Sequence, residues 1–85
     1  MIALDIRQRL LDIDSGRAAL AAADDAVRAA TEARRVVTER NRAGVAIQTD
    51  VLDADVVLLQ AELDRTRAIA GVRFAEARLA RALGK

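Results

Sequence analysis

Asp50 and Asp53, three residues apart, are the side chains of this sequence with the clearest chemical potential. Paired carboxylates are the equipment of general acid–base work, but the rest of a catalytic kit is missing. The chain has no histidine, the commonest general base and metal ligand. It has no cysteine, which excludes disulfides and thiolate metal sites, and no tyrosine. No glycine-rich phosphate loop follows a strand. Two helices also offer no enclosed pocket in which a carboxylate could be tuned for proton transfer. The chain therefore reads as no enzyme, with no cofactor and no metal site. A simpler role remains for the two aspartates: negative charge at the N-terminal end of a helix, where the dipole favours it.

Charge and composition narrow the partners. Lys+Arg 14 against Asp+Glu 13 gives a net charge of +1, with arginines interleaved among acids rather than gathered in a stripe. Phe74 is the single aromatic residue, so there is no stacking platform for bases. Nucleic acid is not an expected partner. The N-terminal MIALDIRQRL mixes charges into its apolar residues and does not read as a secretory signal. No window approaches the ~18 consecutive apolar residues of a membrane span, so this piece is expected to be soluble.

The elements that must position Asp50 and Asp53 are two long helices meeting at Asn41–Ala54, NRAGVAIQTDVLDA. Gly44 can adopt the left-handed conformation that ends a helix, and Arg40 and Arg42 suit the carbonyl end just before it. Thr49 or Asp50 can cap the helix that follows. The expected order is a helix over about 3–42, a turn over about 43–49 and a helix over about 50–83.

Heptads support both helices. In the first, Ile6, Ile13, Leu20 and Val27 form one row and Gly16, Ala23, Ala30 and Val37 the companion row. Asp14-Ser15-Gly16 is its soft spot, and the heptad passes through it in phase. In the second, Ala54, Ala61, Ala68, Ala75 and Ala82 recur every seven residues. Val51, Leu58, Val72 and Leu79 accompany them, and Arg65 interrupts. Gly84 supplies the C-terminal stop. The spacing predicts an all-α fold, a long antiparallel two-helix coiled-coil hairpin.

Such a hairpin needs one apolar stripe per helix, yet this one carries more. Leu52, Val56, Val57, Leu59, Leu63, Ile69, Phe74 and Leu83 lie off the seam of the second helix, and Val36 off that of the first. Each helix is thus expected to have neighbours on more than one side, through self-association or through the remainder of a longer chain.

The order R-x-x-x-G-V, T-D-V-L-D-A and a tail L-A-R-A-L-G resembles the TolC-like outer membrane efflux proteins. The residues are Arg40, Ala43-Gly44-Val45, Thr49 to Ala54 and Leu79 to Gly84, and the IRQRLLDI helix before them is also similar. The resemblance covers nearly the whole chain. It implies a fragment of an α-helical tunnel, one hairpin of a longer protein that trimerises in the outer membrane and reaches into the periplasm. It further implies that Ala43, Gly44 and Val45 form the tip that docks a periplasmic adaptor protein. Asp50 and Asp53 would match paired aspartates that ring the pore constriction and draw cations toward it. The chain departs from the family at Asn41, where an aromatic residue often stands, and at Ala46 and Ile47, where a gate-locking arginine is absent. Export of drugs, metals or other small molecules is the function so implied. The alternative is a stand-alone antiparallel coiled-coil scaffold or dimerisation module, which shares the heptads but gives no reason for the tip sequence. A lipid-surface helix would want a basic polar face and interfacial aromatics, which this chain lacks.

Overall fold

The computed structural model describes residues 2–84 as two helices, α1 (Ile2–Arg42) and α2 (Gln48–Ala82), packed side by side in an antiparallel hairpin. The rod measures 64 × 14 × 14 Å. No helix among the described residues is long and apolar enough to cross a membrane.

The seam is the one the heptads specify. Ile13, Ala30, Ala61 and Ala75 are buried, and every other apolar residue of the four rows is half-buried. The alanine row of α2 lets the helix axes close up, because no long side chain holds them apart. Asp14-Ser15-Gly16 lies inside α1 without a break. A Cβ on Gly16 would stand 3.3 Å from Val72 Cγ2, so the glycine marks a close approach of the helices rather than a weak point. Gly71 is different: its missing Cβ faces open space and its backbone is helical. Gly71→Ala is therefore expected to raise stability by about 0.5–1 kcal/mol, through helix propensity alone. Chemical denaturation of the monomeric chain checks this.

Two arginines stand at seam positions, and each is used to cross the hairpin. Arg34 pairs with Asp55, and Arg65 with Asp24. The first two lie ten residues either side of the Gly44–Val45 bond and the second two lie twenty either side, so both pairs demand the same register. All four groups are partly exposed and contribute little energy, but a slip of either helix would break both pairs.

Helix α2 starts at Gln48, two residues before the expected position, and its N-cap is Ile47 rather than Thr49 or Asp50. Isoleucine has no polar side-chain atom to offer the first turn. Asp50, at the third helical position, reaches back instead, and its Oδ2 accepts the Ile47 N–H at 3.3 Å. That is the acidic half of a capping box acting alone. At the other end Gly84 takes φ +76° and donates to the Arg81 carbonyl, closing α2 as expected.

Of the apolar residues off the seam, Ile69 and Val36 are half-buried after all. Leu52, Val56, Val57, Leu59, Leu63, Phe74 and Leu83 are exposed, joined by Ile2, Leu4, Leu10 and Leu11 of α1. Arg78 covers Phe74 in part, its guanidinium 5.6 Å from the ring centre.

Candidate functional site

The tip is built by the way α1 ends. Gly44 has φ +78°, a conformation that a Cβ disfavours. Its N–H donates to the Asn41 carbonyl at 3.0 Å, and the Val45 N–H donates to the Arg40 carbonyl at 2.8 Å. This pair of bonds is a Schellman closure, which satisfies the last carbonyls of the helix. The Ala46 N–H also reaches the Arg40 carbonyl, at 3.2 Å. Asn41 completes the turn: its Nδ2 donates to the Ala46 carbonyl at 2.9 Å from a half-buried position.

These bonds occupy the N–H groups of residues 43–46 and leave small and apolar side chains on the outer surface. Ala43, Gly44 and Val45 are all exposed, Val45 at 75%. Ile47 adds a second large apolar side chain beside it. The geometry suits a partner surface that approaches closely, with small and apolar side chains to pack on and carbonyls of the turn left to accept.

Asp50 and Asp53 lie one turn apart on one face of α2, both exposed. Their situations differ. Asp50 is engaged by the Ile47 N–H, whereas Asp53 has no hydrogen bond or ion pair among the described residues. Asp53 is thus the freer carboxylate for an ion or a partner.

Sequence reasoning missed Ile47 as cap and Asn41 as brace. Ile47 carried no signal, since apolar residues are poor caps. Asn41 did: it continues the row Ile6, Ile13, Leu20, Val27 at the spacing of seven and so points inward.

The outer faces of the two helices near the tip are unlike. On α1, Arg28 pairs with Asp25, Arg35 with Glu32 and Arg42 with Glu39, a ladder repeated every seven residues. The bidentate Arg35 hydrogen bonds at 2.7 and 2.9 Å hold the Glu32 carboxyl below the ordinary glutamate value. The support from this depressed acid is present above its unfolded pKa and fades as pH falls through its folded one. Being fully exposed, the pair does not decide acid stability. On α2 at the same level stand Leu52, Val56, Leu59 and Leu63, on a face about 150° round from the seam by helical spacing. One outer face is wet and the other apolar.

Comparison with known proteins adds no relative, since no family model, no curated protein and no solved structure matches this chain.

Proposed function

We propose that this chain is a helical stave: the periplasmic hairpin of a trimeric, TolC-like outer membrane efflux channel. In this reading Ala43, Gly44 and Val45 form the tip that docks a periplasmic adaptor, and Asp50 and Asp53 line the constriction. The observation that carries it is the surface left uncovered by a seam that is already complete. Among the described residues only four are buried and all large side chains keep some exposure, and the chain presents 6321 Å² to solvent. A compact protein of 9.1 kDa would expose about 4,900 Å². A hairpin that has closed its own seam and still carries an apolar outer face on α2 is shaped for neighbours. The charged ladder on α1 gives the same rod a face for water, as a wall element needs. The exposed tip, with its small and apolar side chains outward, supports the docking role. Efflux and the outer membrane rest on the sequence resemblance.

The carboxylates provide the test. In the intact channel, Asp50→Ala combined with Asp53→Ala is expected to raise single-channel conductance and weaken block by divalent cations. Asp53→Ala alone should give most of the effect, because Asp50 is partly committed to the helix start. Unchanged conductance and block in the double variant would leave the aspartates as helix-end charges only and remove the constriction role.

A further inference from the structure

One flank of the hairpin is a shallow, mostly apolar groove between the helices, walled by Ala26, Ala29 and Ala33 of α1 and Val56 and Val57 of α2, with Gln60 and Asp64 also lining its α2 side. We infer that this groove is a homotypic interface, in which a second copy of the chain seats its α1 antiparallel to the first across a two-fold axis at Ala26. Charges farther along the same face of α1, outside the groove itself, choose the occupant and its direction. Asp12 and Arg40 stand fourteen residues either side of Ala26, and Ala19 and Ala33 seven either side. All five share one face of the helix, since they recur at intervals of seven. An antiparallel two-fold therefore sets Asp12 of each copy opposite Arg40 of the other. A parallel pairing of the same faces sets Asp against Asp and Arg against Arg.

Arg40 is available for this role. It is exposed and has no carboxylate within 4.0 Å among the described residues, unlike Arg28, Arg35 and Arg42 beside it. Asp12 already meets Arg9 at 3.5 Å and Gln8 at 2.9 Å, and it keeps 36% of its side chain open for a second cation. Alanine walls let two helices approach closely, with Val56 and Val57 bordering the contact. The uncovered area is sufficient: the surplus over a compact monomer is about 1,400 Å² per chain, whereas a standard interface takes about 800 Å² from each partner. The pairing concerns the chain by itself and stands whether or not the chain serves in a channel.

The chain has no cysteine, so single cysteines report the geometry directly. Ala26→Cys lies on the inferred axis and is expected to form a disulfide-linked dimer under mild oxidation in dilute solution. Arg28→Cys, outside the groove on the charged outer face of α1, is the matched control and is expected to form little disulfide. Arg40→Asp is expected to weaken dimerisation about tenfold by removing two ion pairs and adding repulsion, and Asp12→Arg with Arg40→Asp to restore it. Circular dichroism confirms that each variant keeps its helices. Cross-linking no faster at Ala26→Cys than at Arg28→Cys overturns the inference, as does an Arg40→Asp chain that dimerises like the parent. Neither result bears on the aspartate test in the intact channel.

Discussion

Ile13→Ala is expected to lower the stability of the hairpin by about 2–4 kcal/mol, the largest effect of any single truncation along the seam. Ile13 is 6% exposed and is the only large side chain among the four buried residues, the others being alanines. It borders the same hollow as Leu79 and Leu83 near the open end, where nothing but the seam holds the helices together. Folded domains hold about 0.05–0.15 kcal/mol per residue, so the loss removes a large share of what this chain can have. Thermal or urea melts by circular dichroism, at a concentration where the chain is monomeric, measure it. Leu11→Ala, two residues away and 55% exposed, is expected to change stability by less than about 0.5 kcal/mol. Equal costs at the two positions would mean that the seam does not run where the structure places it.

In the efflux channel proposed for this chain, Gly44→Trp is expected to abolish transport while leaving the proposed trimer assembled. Backbone strain and side-chain bulk act separately at this position. At φ +78° any Cβ costs about 1–2 kcal/mol, but a Cβ at Gly44 meets nothing within 4 Å. The hairpin can therefore bear the substitution, and the indole projects from the tip into the space a docking partner needs. Gly44→Asn is the control for conformation, because asparagine tolerates the left-handed region and adds little volume. It is expected to retain transport. Normal efflux with tryptophan at 44 would falsify the docking role, whereas loss with both variants would point to the turn's conformation instead.

Most of the fold was legible because two periodicities agreed. A repeat of seven keeps one face of a helix turned to one neighbour, and the apolar rows of both helices stayed in phase from Ile6 to Val37 and from Val51 to Ala82. Gly44 was legible as a turn because few other residues accept its conformation. What escaped was set by register or by absence. That Arg65 reaches Asp24 and Arg34 reaches Asp55 depends on how the hairpin closes, which spacing within one helix does not reveal. Gly16 read as a soft spot because a lone glycine lowers helix propensity, and its packing against Val72 belongs to the partner helix. The start of α2 was misplaced because an isoleucine cap has no sequence signature, and the aspartate that serves it reads equally well as a cap itself. The tip was legible as geometry; the docking role proposed for it comes only from resemblance.

The central physical claim is that this hairpin leaves more apolar surface than its own seam can cover. Sedimentation equilibrium of the chain from micromolar to millimolar concentration tests it most directly. A defined oligomer is expected, its population growing with concentration and thermal stability rising alongside it. A chain that stays a stable, fully helical monomer across that range would contradict it.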